Sequence, residues 1–191
     1  MADRFATQIS IGGKVKRTLV PALIEAINAE QLQRDWGSDL PEIQNEEELL
    51  SHKNEKGVLW FCYDERAWGR FEDLEEFLRK RRIPYDRRHE PRYEYDGELA
   101  LFRPEKKGVR YCAVDASGAL IVPVEGIQRV RDLLKRKPSK TSIKQALRDL
   151  NSLCEDADVE PLPAFEIVER NKIKRKEPKK WSSQTGKPPT S

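Results

Sequence analysis

From Arg170 to Ser191 the chain carries eight cations, Arg170, Lys172, Lys174, Arg175, Lys176, Lys179, Lys180 and Lys187, against a single acid, Glu177. Cations at this density neutralise phosphates and release the counterions condensed around them, and an indole such as Trp181 stacks on a base. Lys172, Lys174, Arg175, Lys176, Lys179, Lys180 and Trp181 are therefore the first candidates for nucleic-acid binding. They supply affinity and no sequence selection, because phosphate contacts position a protein without reading bases. The plainer alternative is a solubilising terminus.

Selection needs a shaped surface, and the central third of the chain offers one. Trp60, Phe61, Tyr63, Trp68, Phe71, Tyr85, Tyr93, Tyr95 and Phe102 are interleaved there with Arg66, Arg70, Arg81, Arg82, Arg87, Arg88 and Arg92. Stacking rings beside planar guanidinium groups suit a single strand of nucleic acid or a protein partner. Arg81, Arg82, Arg87 and Arg88 are the body residues assigned to that face, although aromatic residues in strands more often form a core.

A weaker constellation consists of Asp64, Asp86, His89, Glu94 and Asp96. Carboxylates and an imidazole can hold Mg²⁺ or Mn²⁺, whose bound water attacks a phosphodiester, so a metal-dependent phosphodiesterase or nuclease is the alternative function. In a chain with 33 acids, however, carboxylates near any strand are expected, and Arg87, Arg88, Arg92 and Arg103 are ready ion-pair partners. No catalytic residue, metal or cofactor is assigned. His89, between Arg88 and Glu90, reads as a surface histidine, and His52 supports no role. Gly12-Gly13-Lys14 lacks the spacing of a triphosphate loop and reads as a strand exit. Cys62, Cys112 and Cys154 are odd in number and widely spaced, which suits reduced thiols in a core.

The elements that must position these residues follow from hydrophobic period. Phe5, Ile9 and Ile11 alternate as one face of a strand, and Leu19, Val20, Leu23, Ile24 and Ile27 fall at helical spacing within 16–32. Asn45 with Glu48 forms a capping pair for a short helix through Leu50. A strand over 58–63 precedes a helix that starts after Trp68-Gly69 and ends in Arg79-Lys80-Arg81-Arg82. Asp96-Gly97 predicts a hairpin turn between Tyr93–Tyr95 and Leu99–Phe102. Short strands at 109–114 and 120–122 flank a turn at Ala116-Ser117-Gly118, and two helices follow, the second with Thr141 as its cap. The pattern is that of an α+β domain over 1–154, with a mixed or mainly antiparallel sheet covered by helices in two layers. An acidic, Pro-containing linker over 155–169 with room for an edge strand, and a disordered basic tail over 170–191, complete the chain.

Composition limits the classes. Leu, Ile, Val and Phe make up 45 of 191 residues, enough for a folded core. The net charge of +3 conceals a body of −4 over residues 1–169 and a tail of +7. Apolar runs are strand-sized and the first residues lack a signal-peptide pattern, so a cytoplasmic protein off the membrane is expected. The expectation is a small non-enzymatic binding protein with DNA or RNA as partner. A protein-interaction adaptor with no nucleic-acid role is a further alternative.

Overall fold

The computed structural model describes residues 3–38, 42–135, 139–157 and 159–169, and the candidates of the basic tail lie outside the described residues. In chain order the elements are β1 (Arg4–Ile11), β2 (Lys14–Lys16), α1 (Val20–Ala29), α2 (Glu46–Ser51), β3 (Leu59–Ala67), α3 (Glu72–Lys80), β4 (Tyr85–His89), β5 (Gly97–Phe102), β6 (Val109–Val114), α4 (Val124–Lys135), α5 (Lys140–Ala157) and β7 (Glu166–Val168). Five strands form one antiparallel sheet in the order β3-β1-β4-β5-β6, and β2 and β7 form a parallel pair. The fold is α+β, and no described helix is long and apolar enough to cross a membrane.

Alternation in β1 turns Phe5, Thr7, Ile9 and Ile11 to one face, where all four are buried. Register extends that face through Leu59 and Phe61 of β3, Tyr85, Arg87 and His89 of β4, Glu98, Ala100 and Phe102 of β5, and Val109 and Tyr111 of β6. Val20, Leu23 and Ile27 of α1, Leu49 of α2 and Leu74 and Leu78 of α3 complete a single core against it. Pro21 is accommodated because it falls in the first turn of α1, where its missing N–H has no intrahelical partner to lose. α2 starts on the expected reciprocal cap: the Glu48 amide donates to Asn45 at 2.9 Å, and the Gln44 amide donates to the Glu48 carboxylate at 2.7 Å.

Several boundaries differ from the sequence reading. The first helix is shorter at both ends, since Lys16 joins β2 and Gln31, at φ 54°, ends the run. Tyr93–Tyr95 is not a strand but a tight turn closed by Arg92 and Tyr95, and the partner of β5 is β4. The cap of α5 is Ser139, whose hydroxyl accepts the Ser142 amide at 3.1 Å, and not Thr141. The strand over 120–122 reduces to one bridge between Leu120 and Val114.

The segment read as a linker belongs to the body. Phe165 is fully buried in the core, and β7 is the edge strand for which 155–169 left room. Gly13 donates its amide to Pro163 and Ala164, and Glu166 returns a bond to Gly13 at 2.9 Å. α4 and α5 pair along a seam that includes Gly126 against Leu153 and the buried Ala146. One helical step away, Val124, Ile127 and Leu134 of α4 and Ile143, Leu147 and Leu150 of α5 stay exposed.

A Cβ at Gly12 would stand 2.1 Å from the Pro163 carbonyl oxygen, a backbone atom without room to move. Gly12→Ala is therefore expected to cost at least about 2 kcal/mol, measured by urea denaturation, with Phe165 losing its protection from solvent.

Candidate functional site

Arg87, assigned from sequence to a binding face, is fully buried. As an inward residue of β4 its guanidinium lies 2.9 Å from Glu75 through Nε, donates to Glu98 at 2.5 Å through Nη2, and donates to the Gly69 carbonyl at 2.8 Å through Nη1. Glu75 also accepts the Phe71 amide at 3.1 Å and the Tyr85 hydroxyl at 3.0 Å, which in turn accepts from Arg79 at 3.1 Å. Burial pushes the Tyr85 phenol up, so it stays protonated as a donor. Glu30, at the end of α1, accepts the Leu74 amide and pairs with Arg66. These are structural networks, and Arg87 is unavailable to a nucleic acid.

The other assigned arginines separate. Arg88 is half-buried, donates to the Ala116 carbonyl at 2.7 Å and packs on Gly118. Arg81 is exposed over the Phe77 ring, and Arg82 is exposed and donates to the Pro104 carbonyl at 2.7 Å.

The five metal candidates do not converge, and no group of three or more His, Cys, Asp or Glu among the described residues can hold a metal ion. Asp64 is exposed and accepts the Gly37 amide at 3.2 Å. Asp86 and His89 project to opposite faces of β4, and Asp86 pairs with Arg103 at 2.6 Å. Burial raises the Asp86 carboxyl above its ordinary value against the pull of Arg103, Arg110 and Lys56. Glu94 and Asp96 lie exposed in the turn after β4. His89 is not a surface residue: its ring packs at a tilt against Phe5, 4.6 Å between centroids, and closes on Gly69, while Nδ1 donates to the Glu90 carbonyl at 3.0 Å. His52 is likewise buried, stacked on Phe61. Cys62 is buried, its thiol pushed up to about 12 chiefly by burial, which leaves it unreactive.

What the fold does gather is a groove at the β5–β6 turn. A cavity of about 570 Å³ is lined by Arg103, Lys106, Lys107 and Arg110, with Glu160 the one acid among the described residues of its wall. Leu101 and Arg110 are cross-strand partners on the sheet face turned away from α1 and α3, and Gly108, at φ 76°, makes the turn that carries the two lysines. Arg103 is buried and committed, donating to Asp86, to the Tyr85 carbonyl at 3.2 Å and to the Glu160 carbonyl at 2.6 Å. Lys106 pairs with Glu160 at 3.2 Å in a solvent-exposed contact. The groove is thus a fixed arginine floor with exposed cations at its mouth.

No known protein family, curated protein or solved structure matches this chain. Lys106, Lys107 and Arg110 were missed from sequence. Their signal was Lys106-Lys107-Gly108 between two strand runs, a turn able to hold adjacent cations at a sheet end.

Removing the Arg87 guanidinium leaves Glu75 and Glu98 facing each other without their cation, so Arg87→Ala is expected to cost about 3–5 kcal/mol in urea denaturation. His52 and His89 are held below their ordinary value of 6.5, chiefly by burial. The unfolded chain takes up those protons first as pH falls, so stability is complete above about 6.5 and declines below it. Urea midpoints from pH 7.5 to 5 should fall, and His89→Gln should flatten part of the slope.

Proposed function

We propose that the chain is a non-enzymatic nucleic-acid-associated binding protein, whose β5–β6 groove receives a phosphate backbone while the basic tail adds electrostatic affinity. The observation that carries this reading is the concentration of Arg103, Lys106, Lys107 and Arg110 around one cavity in a body of net charge −4. In a body acidic overall, a local cationic groove makes anion binding site-specific instead of diffuse. Glu160 occupies the place of a competing anion through Lys106, and a phosphate that displaces it releases that pair. Such contacts are indifferent to sequence, so base selection would come from elsewhere on the complex.

A salt titration with single- and double-stranded DNA and RNA tests this on the full chain. The expected result is salt-steep binding in which Lys106→Glu with Lys107→Glu weakens affinity at least tenfold and lowers the slope of log K against log salt by roughly 0.7–0.9 per lost contact. Glu160→Gln should tighten binding several-fold. Equal affinity of all these variants would remove the groove from the reading, and absence of binding at low salt would remove nucleic acid altogether.

The adaptor reading has its own observation in the exposed aliphatic stripes of α4 and α5. A partner helix laid between the stripes would bury both. Leu147→Lys separates the two readings, because it should abolish protein association and leave the salt-dependent term unchanged.

A further inference from the structure

Another cavity, about 640 Å³, opens on the opposite face of the same hairpin, where α1 and α3 stop short of β5 and β6. Its floor is the inward face of the sheet, where His89 and Glu98 are cross-strand partners and Tyr111, the partner of Ala100, lies diagonally beside Glu98. Its walls are Trp68 before α3, Glu72 in the first turn of α3, and Tyr95 and Asp96 before β5.

The aromatic residues here are not core that failed to close. Trp68, Tyr95 and Tyr111 are 53%, 46% and 52% exposed, although rings of this size normally lose most of their surface on folding. Trp68 is also held at φ 54°, a left-handed backbone that costs a bulky residue about 1–2 kcal/mol. Its amide donates to the Asp3 carbonyl at 2.8 Å, and Gly69 follows at φ 61° with the His89 ring where a Cβ would be. Packing thus fixes the turn from below while leaving about half of the indole open to solvent, so burial of the ring offsets the strain only in part.

The charges inside the cavity have one predominant sign. Among the described residues, three carboxylates, Glu72, Asp96 and Glu98, face one cationic wall residue, Arg70. Glu98 is held in place from beneath by Arg87, whose charge is shared with Glu75, so the carboxylates still outnumber the cations around the cavity. Aromatic faces attract cations through their quadrupole, most strongly when carboxylates add to the local potential, and such walls accept an ammonium or guanidinium group while repelling anions.

We propose that this cavity binds the cationic side chain of a peptide segment, a lysine ammonium with or without methyl groups or an arginine guanidinium, between Trp68, Tyr95 and Tyr111. The site goes beyond the nucleic-acid reading and does not rest on it. Its ligand has two sources, the chain's own basic segment at Lys172–Lys180 or a basic segment of another molecule, and the chemistry of recognition is the same for both.

The test uses the full chain and two lysine analogues blocked at both termini, one with a trimethylammonium side chain and one with its neutral tert-butyl isostere, followed by NMR shifts of the indole resonances. The cationic probe should bind at least tenfold more tightly than the isostere. Trp68→Ala and Tyr111→Ala, both at exposed positions, should each weaken it about 3- to 30-fold while the thermal unfolding midpoint stays near that of the parent. Equal binding of the two probes, or indifference to both substitutions, would overturn the proposal. A full-length variant with Lys172, Lys174, Arg175, Lys176, Lys179 and Lys180 all changed to Gln identifies the source. A several-fold gain in probe affinity assigns the site to the chain's own segment, an unchanged affinity assigns it to another molecule, and no binding to either form rejects the site.

Discussion

Transferring a guanidinium from water to a protein interior costs several kcal/mol unless its charge is paired at close range, and Arg87 is wholly enclosed. Its partners come from three places in the chain: Glu75 from α3, Glu98 from β5 and the Gly69 carbonyl from the turn before α3. One charge in β4 therefore fixes the height of α3 above the sheet, the position of the Trp68-Gly69 turn, and the orientation of the carboxylate at the floor of the aromatic cavity. Tyr85 and Arg79 extend the same chain of contacts to the end of α3. The polar centre of the body is a continuous network, and both cavities border on elements that it holds.

The elements whose inward positions are aliphatic were legible. β1, the capped start of α2, and α3 with its acidic first turn and basic last turn lie close to where period and capping chemistry put them. β4 was not legible, because its inward residues are Tyr85, Arg87 and His89, and their burial depends on partners outside the strand. Nothing in the local sequence says that an arginine has two carboxylates waiting for it. The same blindness misplaced the hairpin turn and assigned Arg87 to a surface. The metal constellation failed for a related reason: Asp86 and His89 are three apart, which on a strand means opposite faces. Lys106 and Lys107 escaped notice because two adjacent lysines in a turn carry little signal until the fold brings Arg103 and Arg110 beside them.

Alternation along β6 has a further effect on charge. Arg110 points to the face turned away from α1 and α3 and Tyr111 to the opposite face, so adjacent residues line different cavities. The cations that line one and the carboxylates that line the other are separated by the thickness of a single sheet. The overall charge of the body predicts neither, since it averages over a division that the pleat creates.

The stitching of residues 12–16 to residues 163–168 also sets an order of events. β2 and β7 are about 150 positions apart in the chain, and contacts that close so large a loop form slowly, after the local hairpins and helices. Until they form, the pocket that receives Phe165 stays open and the Gly13 amide lacks its acceptors at Pro163 and Ala164. β2 thus waits for β7, and the core is complete only when residues 12–16 and 163–168 meet.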